Sequence, residues 1–407
     1  MNIWGYKHRF SEKGKRYAVT TISLLSYLIS LPFVMMNLFR KKEIDHEKIE
    51  KLLIIRNDGI GDFILSLNAL HTLRRSFRRA KITACIPSWQ EEIAVASNLF
   101  DEIIIFDAKK SEYLSSALRF TNLFSDMLRQ IPLLRRKQFD LALDIRGDLR
   151  NRIIIFLSAV PYRVSFDVGG MECLLTHQIH YREKTHEVDH FNDLAIFFTD
   201  DKIKYYVDFN VSMADEEKAK MVMEMHGIRL GEDFLVVVHP VSRWRAKAWP
   251  KENYAAVCDR LMSKWGINVA VIGATEDSEE ITEMLRMMDK EAITTAGELS
   301  IPQTAALLKE AALFIGNDAA PMHMAAAVGI PVIALFGPTD PEIYGPYGEG
   351  HTVIRPDIPC RCASKKVCSN PIQFCMNSIS VDSVFDHAER YIKQKMEDRI
   401  RVAQELQ

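Results

Sequence analysis

Three stretches of this sequence bring together residue types that can move a proton or hold a phosphate. In Asn57-Asp58-Gly59-Ile60-Gly61-Asp62-Phe63, two glycines allow a tight strand-to-helix turn and leave Asp62 at or near a helix start. A carboxylate there is either a helix cap or a general base. To serve as a base it needs a partly dry pocket, because a helix N-terminus favours its charged form. In HPVSRWRAKAWP (239–250), Ser242, Arg243, Arg245 and Lys247 lie between an apolar run and a Trp-Pro pair that opens a helix. Three cations and a hydroxyl suit a diphosphate; the alternative is a solvated basic loop. In residues 315–340, Asn317-Asp318 end a second apolar run and are expected to cap a helix that begins near Ala319, Ala320 and Pro321 and carries His323 in its first turn. The free N–H groups and positive end of such a helix make an anion site. His323 either donates to a phosphate oxygen there or is a buried, satisfied histidine. Ala325, Ala326 and Ala327 let the helix pack closely on a sheet.

Three further groups carry less specific signals. Glu276 and Asp277 follow a predicted strand, where a carboxylate accepts from ribose hydroxyls or caps a helix. His186-Glu187-Val188-Asp189-His190 spells H-E-x-x-H, which on a helix would put His186 and His190 on one face with Glu187 as a base. Its third ligand is not marked downstream, and a surface or core role is preferred. Cys360, Cys362, Cys368 and Cys375 cluster with gaps of one, five and six residues, unlike the paired knuckles of most zinc sites. Reduced structural thiols are the alternative there. With no D-x-D, no P-loop and no G-x-S-x-G, neither a metal nor a cofactor is expected. A dinucleotide fingerprint also fails, because its third glycine would fall at Ile64.

The elements that must position these residues alternate. Predicted strands at 51–56, 81–87, 102–107 and 141–146 are separated by helix-compatible stretches. A possible extended segment at 205–211 is followed by a second series at 234–240, 268–273, 312–318, 331–337 and 351–356. This implies α/β architecture: two doubly wound parallel-sheet halves, with ligands beyond the carboxyl ends of the strands, in a cleft that the halves face. The expected organisation is a basic arm and apolar helix at 1–45, an N-terminal acceptor domain at 46–215, a C-terminal donor domain at 216–380 and an amphipathic helix at 381–407. Tyr17 to Phe39 runs 23 residues without a charge, flanked by Lys13, Lys15 and Arg16 and by Arg40, Lys41 and Lys42. It is long enough to meet a bilayer, but Pro32 would kink it, so spanning and surface-lying arrangements both stay open. A chain of 407 residues with 48% hydrophobic and 26% charged residues is globular, and a net charge of −2 recruits no nucleic acid. Seven cysteines without a secretory signal suit a reducing, cytoplasmic setting.

Over roughly 51–380 the chain resembles the lipopolysaccharide heptosyltransferases, inverting enzymes of the GT-B fold. The resemblance is carried by LLIIRNDGIGDFILSLNALHTLRRSF, by NDAAPMHMAAAVGIPVIALFGPTDP with GPYG, and by the tail ending CMNSISVDSV. It implies that Asp62 is the catalytic base, that Lys247 of Lys-x-Trp-Pro faces the donor phosphates, and that Asp318 and His323 belong to the donor-site Asp-Thr-Gly-x-x-His pattern. Ala319 and Ala320 replace the threonine and glycine of that pattern, which removes a hydroxyl donor. The implied donor is ADP-heptose. The implied acceptor is a lipid-linked core saccharide, reached from the cytoplasmic face of the inner membrane. Rival readings are a GT-B transferase for another nucleotide sugar, a GT-B epimerase, and an inactive, membrane-attached sugar-nucleotide-binding protein.

Overall fold

The computed structural model describes residues 43–107, 129–199, 209–356 and 374–405. By its internal contacts the chain divides into two units, 1–204 and 205–407. The apolar run at 17–39, residues 205–208 of the extended segment, and Cys360, Cys362 and Cys368 lie outside the described residues. Among the described residues, no helix is long and apolar enough to cross a membrane.

The first unit is built on strands β1 (Lys51–Ile55), β2 (Lys81–Ile86), β3 (Glu102–Ile105), β4 (Leu141–Asp144), β5 (Tyr162–Phe166) and β6 (His177–Ile179). They pair in parallel in the order β3-β2-β1-β4-β5-β6. Helices α1 (Ile60–Ser76), α2 (Glu91–Ser97), α3 (Leu149–Leu157) and α4 (Glu187–Ile196) connect or cover them. After its exposed first residue, β1 is buried throughout, which is why it reads as an unbroken apolar run. Leu53 and Ile55 join Ile154 and Ile155 of α3 in one core cluster. Sequence pattern alone missed β5 and β6, because YRVSF and HQI hold polar residues where an apolar run is expected.

The second unit repeats the plan with β7 (Leu235–His239), β8 (Asn268–Val271), β9 (Ile293–Thr294), β10 (Leu313–Asn317), β11 (Val332–Leu335) and β12 (Thr352–Ile354). All pairings are parallel and the order is β12-β11-β10-β7-β8-β9. Its helices are α5 (Met213–Met225), α6 (Lys251–Trp265), α7 (Ser278–Leu285), α8 (Ile301–Lys309), α9 (Ala320–Ala327), α10 (Pro341–Tyr344), α11 (Phe374–Asn377) and α12 (Val381–Glu405). Val236, Val237 and Val238 are all at most 1% exposed, and burying each such side chain is worth about 1.5–3 kcal/mol. Gly266, with φ of 61°, closes α6 in the left-handed conformation. The charged helix α12 is part of this unit: Val384, Phe385, Ala388 and Ile392 enter the same core as Val257, Cys258 and Leu261 of α6.

The strand order reverses at the same place in each sheet, between β1 and β4 and between β7 and β10. At such a switch point the connections leave in opposite directions and open a crevice beyond the strand ends. Asp62 follows β1, Lys247 follows β7, and Asp318 follows β10.

Candidate active-site elements in each unit

In the first unit, the turn between β1 and α1 is held from several sides. Gly59 is the N-cap of α1, and Asp62 is the third helical residue rather than the cap itself. The Gly59 N–H donates to Asp62 Oδ2 at 3.0 Å. A side chain at 59 would collide with that carboxylate, since an added Cβ would lie 2.9 Å from Oδ2. Asp58 accepts from Arg56 Nε at 3.0 Å and from Gln90 Nε2 at 3.0 Å, through the same Oδ1. Its carbonyl accepts from Trp89 Nε1 at 2.8 Å. Arg146 NH1 donates to the Asn57 carbonyl at 2.5 Å. Burial pushes the Asp58 carboxyl up; Arg56 and Arg146 pull it down, while the charge of Asp62 adds to the rise. Asp62 therefore stands half-buried at a helix mouth with a second carboxylate behind it.

The sequence pointed to Asp62 but not to the set that holds it. Asp58 was visible in the same motif. Trp89 and Gln90 follow β2 and carry no motif; the only signal was a bulky aromatic and an amide directly after a predicted strand.

In the second unit, four neighbouring strands deliver the candidate residues to one edge of the sheet. After β7, Ser242 is half-buried and Arg243 and Arg245 are exposed, while Lys247 ends a short 3-10 turn with its side chain 16% exposed. Lys247 Nζ lies 2.6 Å from Asp318 Oδ2 and 4.8 Å from the centre of the Trp244 ring. The Thr339 hydroxyl, just past β11, donates to the same Asp318 oxygen at 2.5 Å. Thr339 is a further residue that pattern reasoning passed over, although it sits in the Gly-Pro-Thr-Asp turn.

The helix cap expected from Asn317-Asp318 does not form: the N-cap of α9 is Ala319, with no side-chain cap bond. The carboxylate of Asp318 is held by Lys247 and Thr339 instead, because a buried charge is satisfied best by an opposite charge and a hydroxyl. Asn317 is wholly buried and ties the loops together: Oδ1 accepts from the Trp249 N–H at 3.0 Å, and Nδ2 donates to the Pro240 carbonyl at 2.8 Å. The N-terminal end of α9 thus has no side-chain cap bond, with His323 buried in its first turn.

Glu276 and Asp277 separate in role. Asp277 Oδ2 accepts from the Ala274 N–H at 2.9 Å and closes the turn after β8, whereas Glu276 is exposed. Next to them, His239 ends β7 with Nδ1 buried, and burial pushes its pKa down to about 4. It is therefore a neutral imidazole at neutral pH.

The H-E-x-x-H letters do not form a shared metal face. His186 precedes α4 as its N-cap and accepts from the Val188 N–H at 3.2 Å. His190 is buried, donates from Nε2 to the Arg182 carbonyl at 2.5 Å, and stacks on Tyr181 at 4.0 Å. Of the clustered cysteines only Cys375 is described, as a buried free thiol. Among the described residues no group of three or more His, Cys, Asp or Glu side chains is placed to hold a metal ion.

The model of glycosyltransferase family 9 (heptosyltransferase) matches residues 127–373, more than half of the chain. Lipopolysaccharide heptosyltransferase 3 of Escherichia coli (strain K12) is 27% identical over 300 residues, covering 71% of this chain and 83% of that protein. The family 9 glycosyl transferase of Veillonella parvula DSM 2008 superposes with a TM-score of 0.70 at 20% identity, over 85% of this chain and 97% of that one. The E. coli ADP-heptose LPS heptosyltransferase II superposes with a TM-score of 0.68 at 19% identity, over 85% and 99% of the two chains. At these identities the solved structures speak for the two Rossmann-like sheets.

Proposed function

This chain belongs to glycosyltransferase family 9, the heptosyltransferase family, and from that premise we propose that it transfers a heptose from ADP-heptose to a lipid-linked lipopolysaccharide core acceptor. The reaction inverts the anomeric centre. Asp62 takes the proton of the acceptor hydroxyl as that oxygen attacks the anomeric carbon, and the bond to the diphosphate breaks on the opposite face. Lys247, Ser242, Arg243 and Arg245, with the open end of α9 near Ala319, Ala320 and His323, receive the charge that builds on the departing ADP. Asp318 holds Lys247, and Glu276 accepts from the ribose hydroxyls. A fixed ammonium and helix N–H groups offset that charge without a metal. The acceptor lies on a bilayer, and the basic-flanked apolar run at 17–39 attaches the chain to the cytoplasmic face of that membrane.

The observation that carries this reading is the Lys247–Asp318–Thr339 arrangement at the switch point of the second sheet, beside a helix end with no side-chain cap. The test is ADP release from ADP-heptose with and without a lipopolysaccharide core acceptor. Acceptor-dependent release is expected. Asp62→Asn should lower it by about 10²–10⁴, and near-full activity in that variant would remove Asp62 from the mechanism. The alanines at 319 and 320 favour one second reading: a different nucleotide sugar, recognised without the hydroxyl those positions lack. A donor panel run in the same assay separates the two.

A further inference from the structure

We propose that Gln90 is a positioning residue for Asp62, acting through the Asp58–Gly59 segment of the β1–α1 turn. Gln90 follows β2 and is 0% exposed. Its Nε2 lies 3.1 Å from the Asp58 carbonyl, 3.0 Å from Asp58 Oδ1 and 3.1 Å from the Gly59 carbonyl. Two hydrogens therefore serve three acceptors on two consecutive residues, in a three-centre arrangement. Trp89 adds its indole N–H to the Asp58 carbonyl. The peptide so fixed contains the Gly59 N–H, which is the donor that holds Asp62 Oδ2. The chain of contacts runs from Gln90 to Gly59 to Asp62, and every link is a hydrogen bond.

The other half of the Gln90 amide strengthens the argument. Its Oε1 is buried with no hydrogen-bond partner, and so are both terminal nitrogens of Arg56, whose Nε holds Asp58 and whose guanidinium lies over the Phe191 ring. Leaving buried polar atoms unsatisfied costs stability. Turning the amide over would face its oxygen towards three acceptor oxygens, so the observed orientation is the one that works. A methionine would fill the same volume without the orphaned oxygen. Costs of this kind, gathered around one turn, are expected where a side chain must be held in place for chemistry rather than where only folding is at stake.

This inference rests on the reading of Asp62 as the base, and the experiment separates the two. Turnover is followed as ADP release from ADP-heptose with a lipopolysaccharide core acceptor, for Gln90→Met, Asp62→Asn and the double variant. Gln90→Met should lower kcat by about 10²-fold, the scale of a 1 Å misplacement, with the donor KM unchanged. In the Asp62→Asn background the same substitution should cause no further loss, since it acts through a group already removed. Trp89→Phe keeps an aromatic ring and removes one donor; it should show a smaller fall with the same lack of additivity, and it carries the test if Gln90→Met does not fold. Parental kcat in folded Gln90→Met, or an equal fractional loss in both backgrounds, would overturn the proposal. Retained activity in Asp62→Asn alone would instead overturn the base assignment.

Discussion

Replacing Lys247 by methionine should separate stability from catalysis in the second unit. The ammonium sits 2.6 Å from Asp318 Oδ2, and the two side chains are 16% and 6% exposed. Removing one partner of a buried ion pair typically costs about 3–5 kcal/mol, because the other charge stays behind. Here Thr339 remains as a donor to the same oxygen, and Lys247 is not fully buried, so the lower end, about 3 kcal/mol, is the expectation. For a unit of this size each kcal/mol moves the melting temperature by about 2–4 °C, so Lys247→Met should melt about 6–12 °C below the parent. Adding Asp318→Asn removes the stranded charge and should return most of that loss. Activity should behave differently. If the ammonium stabilises the leaving diphosphate, its loss removes about 2.7–4 kcal/mol from the transition state, or about 10²–10³ in kcat. The double variant should stay as slow as the single one. Differential scanning fluorimetry and ADP release on the same preparations make the comparison. A single variant that melts within about 2 °C of the parent would refute the buried-pair argument. A double variant that regains turnover would refute the role of the ammonium.

Gly59→Ala should impair catalysis without unfolding the chain. Its φ of −81° suits any residue, but the added Cβ would lie 2.9 Å from Asp62 Oδ2 and displace the carboxylate; parental kcat in ADP release would count against it. His239 makes stability depend on pH: its folded pKa of about 4 lies below the unfolded value of 6.5, so the unfolded chain binds the extra proton in between. The stabilisation is complete above about pH 6.5 and is lost as the pH falls towards about 4, on the order of 3 kcal/mol in all. His239→Gln should flatten the denaturant-measured stability profile across that window, and an unchanged slope would count against the assignment. Burial pushes the thiols of Cys85 and Cys258 up to about 12, so neither should react with iodoacetamide in the folded protein; labelling of either before unfolding, by peptide mapping, would contradict that placement.

How much of this was legible beforehand depends on what each residue is paired with. Strands buried on both faces announce themselves as apolar runs, so β1, β2, β7, β8, β10 and β11 were readable from composition alone. The edge strands divide: β3 and β12 kept enough apolar residues to be read, whereas β9 is two half-buried residues and β6 is His-Gln-Ile. Their place is set by neighbours in the sheet, which local pattern does not encode. The same holds for the candidate site. Asp62, Lys247 and Asp318 were legible because each sits in a short stretch of unusual chemistry. Gln90 and Thr339 were not, because their meaning lies in contacts 31 and 21 residues away. The misassigned cap at Asp318 has the same origin. A carboxylate before a helix is a cap by local rules, and only the arrival of Lys247 from 71 residues away turns it aside. That redirection has a consequence for the alanines at 319 and 320. With Asp318 drawn to Lys247 and only methyl groups at the next two positions, the mouth of α9 offers no hydroxyl; Pro321 carries no N–H and the Met322 N–H is bonded to the Ala319 carbonyl, which leaves the first backbone N–H groups and His323. Recognition of an anion there depends on helix geometry and on the loop that carries Lys247, rather than on a hydroxyl at the helix start.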